Sequence, residues 1–208
     1  MAFATPVPGR VVVYGVTGSG KSTLARKLAE RTGLPCHSVD DDLAWQPGWV
    51  PVPDDEQRRR IAALVAEERW IIDGMFAKWR DIALPRAELI VALDYPRWVS
   101  LSRLVRRTVV RCVTRRRICN GNVETLRGML SGDSIIVWHF RSFARKRRTI
   151  RGWVADPAVP VVRLTSPRET KRWLALVSGN DGSNRHYHSR VRGLSGAEPP
   201  QESSRGSC

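Results

Sequence analysis

The sequence has few cysteines and no long apolar run. Its four cysteines form no CxxC pair and its four histidines show no zinc-ligand spacing, so we expect reduced, ordinary thiols rather than a zinc site. No stretch approaches the roughly 20 uninterrupted apolar residues that a membrane helix needs, and the N-terminus has no basic start followed by an apolar run. We therefore expect a cytoplasmic protein without a membrane partner.

Acidic residues are scarce relative to basic ones, and the net charge is +15. Most of the excess lies in residues 97–151, where fourteen arginines and Lys146 face only Glu124 and Asp133, a net charge of +13. Such a segment attracts a polyanion, either a nucleic-acid backbone or the clustered phosphates of a nucleotide. A solvated helix surface is the third explanation, and charge alone does not decide among them.

Compact apolar runs alternate with helical patterns along the chain. The runs that predict strands are RVVVYG, LPCHSVD, RWIIDG, AELIVALD and VPVVRL. The segments that predict helices are 21–33, 53–68, 96–117, 134–150 and 167–177. This alternation is typical of an α/β fold, a parallel sheet with helices on both faces.

The length suits one folded domain with a tail. With 42% hydrophobic residues the chain is too apolar to be wholly disordered. We expect one domain over residues 9–177, with 97–151 as an Arg-rich helical or lid segment. Residues 178–208 are rich in Ser, Gly, Pro and Arg without apolar periodicity, which predicts a disordered tail.

One motif carries specific chemistry. The spacing G-x-x-x-x-G-K-S lies between a predicted strand and a predicted helix, as in a phosphate-binding P-loop. Its glycines let backbone N–H groups surround a phosphate chain, Lys21 can reach the outer phosphates, and the Ser22 hydroxyl can bind Mg²⁺. We therefore predict that ATP and Mg²⁺ bind here, with the nucleotide held by Gly15, Val16, Thr17, Gly18, Ser19, Gly20, Lys21, Ser22 and Thr23.

Features outside the motif indicate which class of P-loop protein this is. No N-K-x-D signature for guanine recognition is present, and a motor or large ATPase module is normally longer. Aspartates stand at the ends of three predicted strands. The small size and these aspartates favour a phosphotransferase in which a bound acceptor attacks the γ-phosphate.

Several stretches resemble a known family. GVTGSGKSTLARKLA, VDDDLAWQPGWV, RWIIDG, PRAELIVALDYPRWVSLSRLVRR and SIIVWHFRSFARKRR are similar to the bacterial topology modulation proteins, which are adenylate kinase-like P-loop kinases. The likeness covers roughly residues 9–177. It implies a nucleotide kinase-like P-loop NTPase fold with a five-stranded parallel sheet, ATP at the P-loop and an acceptor pocket across the cleft.

The resemblance also suggests a second metal-site residue, Asp73, which would end the strand beside the P-loop strand. A carboxylate there can hold Mg²⁺ through water, although an ordinary Asp-Gly turn is the alternative. The family usually has an asparagine where this sequence has Met75.

Acceptor-site residues are implied after the second strand. Asp40, Asp41 and Asp42 stand where related kinases bind the acceptor, and one of them could act as a base for a substrate hydroxyl or accept a hydrogen bond from it. Alternatively, these aspartates cap a helix or are simply solvated. Which of the three corresponds to the family's acceptor-site residue stays open. Trp45, with Trp49, could wall the pocket by stacking on a base or ribose, or could simply pack on the core.

Arginines of the basic segment complete the predicted catalytic set. Arg103 and Arg107 follow Asp94 with the D-x-P and R-x-x-x-R spacing of adenylate kinase-like enzymes, whose arginines cover the adenine and clamp phosphates. Positive charge there would stabilise the oxygens that gain charge during transfer. With Lys21 and Asp73 they form the set of predicted catalytic residues.

Two functions remain in view. The first is an ATP-dependent kinase whose partner is a small nucleoside, nucleotide or other hydroxyl acceptor. The second is a nucleic-acid-binding P-loop ATPase or regulator, in which residues 97–151 grip a phosphate backbone. The second is less favoured, because the basic segment lacks the interleaved aromatic residues of single-strand binders.

Overall fold

The fold is built around one parallel sheet. A computed structural model describes residues 7–114, 117–119, 121–123 and 134–177. Its main strands are β1 (Arg10–Gly15), β2 (Cys36–His37), β5 (Trp70–Ile72), β6 (Leu89–Leu93) and β9 (Val161–Leu164), in the order β2-β5-β1-β6-β9 with all neighbours parallel. The predicted five-stranded α/β architecture is confirmed.

Helices cover both faces of the sheet. They are α1 (Lys21–Thr32), α2 (Asp54–Ala66), α3 (Arg80–Ala83), α4 (Arg97–Thr114), α5 (Ile135–Ala155) and α6 (Pro167–Leu176). Two short hairpins pair β3 (Trp45–Gln46) with β4 (Val50–Pro51), and β7 (Arg117–Ile118) with β8 (Asn122–Val123). None of the helices among the described residues is long and apolar enough to cross a membrane.

The core follows the period-two alternation of the strands. On β1, Val11 and Val13 pack with residues of α1 and α6, whereas Val12 and Tyr14 pack on the opposite face with residues of α2 and α5. The strand β1 is therefore buried on both faces of the sheet. The carboxyl ends of the parallel strands meet at one edge, where the P-loop begins.

The second strand is shorter than the sequence suggests. β2 ends at His37, and residues Val39–Ala44 form one π-helical turn. Ser38 causes the change, because its side chain accepts a hydrogen bond from the backbone N–H of Asp41 and caps the turn. The three aspartates therefore lie on a helical turn, where successive side chains point to different sides.

Other boundaries differ by a few residues. The helix predicted to end at residue 117 is described as far as Thr114, and Arg117 already belongs to β7; the helix predicted over 134–150 continues to Ala155. The predicted tail 178–208 lies outside the described residues, so the domain boundary at 177 stays a prediction.

Candidate nucleotide-binding and phosphotransfer site

The loop between β1 and α1 has the geometry its glycines predict. Gly18 and Gly20 have φ of 82° and 98°, a left-handed conformation that L side chains rarely adopt. A Cβ on Gly18 would also collide with the backbone carbonyl of Ser100 in α4, and one on Gly15 would lie 2.8 Å from the Ser19 hydroxyl oxygen. Backbone conformation and close packing both require glycine at Gly18.

The P-loop lysine folds back over this loop. The Lys21 ammonium donates to the carbonyl oxygen of Val16 at 3.2 Å. Burial lowers the pKa of Lys21, while the nearby carboxylates of Asp40 and Asp73 raise it. The ammonium is therefore held beside the loop's backbone.

Asp73 lies at the carboxyl end of the strand beside the P-loop strand. It follows β5, the strand paired with β1, and its carboxylate accepts a hydrogen bond from the backbone N–H of Val39 at 3.0 Å. Burial raises the pKa of Asp73, whereas hydrogen bonds from the Ser22 hydroxyl and the Val39 N–H, together with the charge of Lys21, lower it. The two predicted metal ligands, Ser22 and Asp73, are thus close neighbours.

A hydroxyl and a carboxylate side by side fit Mg²⁺, which prefers oxygen ligands and keeps several waters. Within the described residues no three His, Cys, Asp or Glu side chains cluster to hold a metal ion by themselves. A magnesium ion here would therefore share its remaining positions between water and nucleotide phosphates. The residues present fit that arrangement.

The three aspartates, which the sequence does not distinguish, have different surroundings in the structure. Asp41 accepts a hydrogen bond from the Ser38 hydroxyl at 2.8 Å, and Asp42 accepts one from the Ser38 backbone N–H at 2.8 Å. Asp40 instead lies near enough to Lys21 and Lys146 for its charge to raise the pKa of both. The geometry thus gives Asp41 and Asp42 capping contacts and brings Asp40 toward the phosphate site.

Trp45 contacts another aromatic ring. It forms an edge-to-face pair with Trp49 at a centroid distance of 5.6 Å. Asn122 ties this hairpin to the β7–β8 hairpin, because it accepts from the Trp49 backbone N–H at 2.8 Å and donates to the Gln46 carbonyl at 2.9 Å. The predicted pocket wall is therefore joined to the basic segment through a buried amide.

The predicted arginines approach from α4. Arg103 donates to the carbonyl oxygen of Ser19 at 3.2 Å and lies over the Tyr95 ring at 5.6 Å. Arg107 lies close enough to Lys21 to lower the pKa of that lysine. Both arginines are thus beside the P-loop.

Asp94 has a structural position. Its buried carboxylate accepts hydrogen bonds from Arg147 at 2.5 Å and from Arg163 at 2.6 and 2.9 Å, which joins β6 to α5 and β9. Met75, where the family usually has asparagine, packs in the core with 5% exposure. Neither side chain points to a role in binding the acceptor.

Sequence reasoning missed two residues of α5 that contact the P-loop. The His139 Nδ1 atom lies 3.0 Å from the Thr17 carbonyl oxygen, and the Lys146 ammonium lies 3.4 Å from the Gly15 carbonyl oxygen. Because a carbonyl only accepts, Nδ1 carries the proton of this histidine. No local motif marks either residue; the only available signal is their seven-residue spacing, which puts both on one face of a helix.

Comparisons with known proteins agree with this architecture. The family model described as "AAA domain" matches residues 11–125. No curated protein matches the sequence.

Solved structures of similar fold include three kinases. The gluconokinase from Sinorhizobium meliloti 1021 is 20% identical with a TM-score of 0.50, covering 82% of this chain and 94% of that one. A sugar kinase from Janibacter sp. HTCC2649 is 19% identical with a TM-score of 0.46, covering 83% and 99%. The deoxyadenosine kinase from M. mycoides with bound dCTP is 10% identical with a TM-score of 0.45, covering 79% and 96%.

The likeness to the gluconokinase, at this identity, shows the fold. The family match spans more than half of the sequence and begins in β1, just before the P-loop. The chain therefore belongs to the AAA domain family and has a P-loop NTPase α/β fold.

Proposed function

We propose that the protein is an ATP-dependent phosphotransferase that moves the γ-phosphate of ATP to a hydroxyl of a small nucleoside, nucleotide or other acceptor. One observation carries this proposal: Lys21, the Ser22–Asp73 pair and Asp40 converge at the carboxyl edge of the sheet. A P-loop that only bound a nucleotide would need no further carboxylate near the lysine.

Each residue has a chemical task in this proposal. The P-loop N–H groups and Lys21 hold the phosphates, and Ser22 and Asp73 orient Mg²⁺, which would neutralise the phosphate oxygens when bound. Asp40 accepts a hydrogen bond from the acceptor hydroxyl and aligns its oxygen with the γ-phosphorus. Arg103 and Arg107 supply positive charge from α4 for the oxygens of the transferred group.

The acceptor pocket lies between the Asp40 turn and the basic segment. Trp45 and Trp49 line its outer side, and the Asn122 bonds hold their hairpin against β7 and β8. An aromatic wall suits a base or sugar ring, which is why we keep nucleosides and nucleotides among the acceptors.

The nucleic-acid alternative, with the role in DNA topology that the family resemblance suggests, receives less support. Several basic side chains of residues 97–151 make contacts within the protein. Arg147 pairs with the buried Asp94, Arg97 lies 4.5 Å from the centroid of the Phe143 ring, and Lys146 contacts the P-loop. Charge that is engaged in this way is less available to a phosphate backbone.

The test is an acceptor panel. Nucleosides, nucleotides and small sugar alcohols or acids are offered with Mg-ATP while ADP formation is recorded. Lys21→Ala is the variant expected to be inactive. Lys27→Ala is the matched control, because Lys27 is an exposed lysine on the same helix. Acceptor-stimulated ADP formation by the parent and by Lys27→Ala, but not by Lys21→Ala, supports the proposal. Stimulation by DNA alone would contradict it and favour the alternative.

A further inference from the structure

Lys146 occupies an unusual position for a lysine on the basic helix α5. Its ammonium does not extend into solvent but lies 3.4 Å from the carbonyl oxygen of Gly15, the first glycine of the P-loop, and 5.9 Å from the centroid of the Tyr14 ring. Among the described residues this long contact is the one hydrogen bond that the ammonium donates. An ammonium has three donors, so two remain for a ligand.

The charges around Lys146 are unbalanced. Tyr14 of β1, Lys21 of α1, Asp40 of the π-helical turn and Arg145 of α5 face it. Lys21 in turn faces Asp40, Asp73 and Arg107. Among the described residues, the two cations that act on Lys146, Lys21 and Arg145, therefore outnumber the one carboxylate that does, Asp40.

An uncompensated charge in a desolvated site is costly, and burial lowers the pKa of Lys146 to about 7. A protein retains such a lysine most readily where an anion compensates it in the working state. The anion expected beside Gly15 and Lys21 is the outer part of a bound triphosphate.

We propose that Lys146 is a second phosphate-binding lysine, whose ammonium donates to the outer phosphates from α5 while Lys21 reaches them from α1. This inference rests on the triphosphate binding that the proposed function requires. Lys146 lies on α5 and Gly15 lies at the end of β1. Phosphates bound by both Lys146 and the P-loop would therefore also fix α5 against the P-loop.

If Lys146 meets the phosphates, Mg-ATP binding should be accompanied by proton uptake at this lysine. At pH 8 a lysine with a pKa of about 7 is mostly neutral, and nearby phosphate charge would raise its pKa and protonate it. The parent protein should therefore take up a proton when it binds Mg-ATP. A guanidinium is always charged, so Lys146→Arg should bind Mg-ATP without that part of the uptake.

The experiment is calorimetric titration of Mg-ATP at pH 8 in two buffers that differ in ionisation enthalpy. The proteins are the full chain, Lys146→Met, Lys146→Arg and the matched control Lys171→Met, an exposed lysine on α6. We expect Lys146→Met to bind Mg-ATP roughly ten- to a hundredfold more weakly and to take up fewer protons. Lys171→Met should match the parent in both quantities.

Two results would overturn the inference. Parent-like affinity and proton uptake in Lys146→Met would show that the lysine does not meet the phosphates, and would leave the proposed function standing. A lower melting temperature of nucleotide-free Lys146→Met, with unchanged Mg-ATP affinity, would show a purely structural lysine. Absence of Mg-ATP binding by the parent would instead defeat the proposed function together with this inference.

Discussion

The carboxylate of Asp73 accepts a hydrogen bond from the backbone N–H of Val39 at 3.0 Å, which joins the end of β5 to the turn that carries Asp40. The Ser22 hydroxyl at the start of α1 lies near enough to the same carboxylate to lower its pKa. One side chain therefore links the predicted metal site with the predicted acceptor site. Its structural and metal-binding roles can be separated by substitution.

Asp73→Asn keeps an oxygen that can accept from the Val39 N–H but removes the charge that Mg²⁺ needs. We expect acceptor-stimulated ADP formation to fall at least about tenfold, with a higher Mg²⁺ requirement, while the melting temperature holds. Asp73→Leu leaves the Val39 N–H without its partner and should also lower stability, by about 1 to 3 kcal/mol. Full activity of Asp73→Asn at low Mg²⁺ would refute the metal role.

Asp40 places a negative charge close to the expected phosphates. Asp40→Asn should therefore strengthen Mg-ATP binding a few-fold, because it removes repulsion, while it lowers phosphoryl transfer to the acceptor. The matched control is Asp55→Asn, an exposed carboxylate at the start of α2. Binding by fluorescence titration and ADP formation measure the two effects, and a parallel loss of both would argue against Asp40 as the acceptor-site base.

Asp94 stabilises the fold through buried charge pairs. Asp94→Asn leaves the guanidiniums of Arg147 and Arg163 without their anion, so the free energy of unfolding should fall by about 3 kcal/mol. Asp81→Asn removes a carboxylate from a solvent-exposed pair with Arg58 and should cost much less. Urea denaturation compares the two, and equal effects would contradict this account of Asp94.

Lys146 should make stability depend on pH. Its pKa is about 7 in the folded protein against an ordinary 10.5, so the unfolded chain binds more protons between these values. Its unfavourable contribution is fully present below pH 7 and is relieved as the pH rises toward 10. Nucleotide-free Lys146→Met should therefore melt above the parent at pH 7, and the difference should shrink by pH 10; a constant difference would contradict this titration.

Local patterns predicted the parts of the fold that depend on nearby residues. The apolar run before Gly15, the glycine spacing and the aspartates at strand ends are short-range signals, and β1, the P-loop and Asp73 appear where those signals indicate. The shortened β2 shows where such signals fail, because the Ser38 cap competes with continuation of the strand.

Contacts between residues far apart in the chain could not be predicted from the sequence. Lys146 and His139 lie 131 and 122 residues from their P-loop partners, and no motif announces either contact. The difference among the three aspartates also depends on packing, since the turn that carries them is held against Asp73 by the Val39 hydrogen bond, with Asp40 near Lys21.

The central claim is that the loop between β1 and α1 binds a triphosphate through Lys21. Calorimetric titration of Mg-ATP into the full chain and into Lys21→Ala tests it most directly. We predict one site per chain for the parent and a loss of affinity of at least about tenfold in Lys21→Ala. Absence of Mg-ATP binding by the parent, or equal affinity in the two proteins, would contradict the claim.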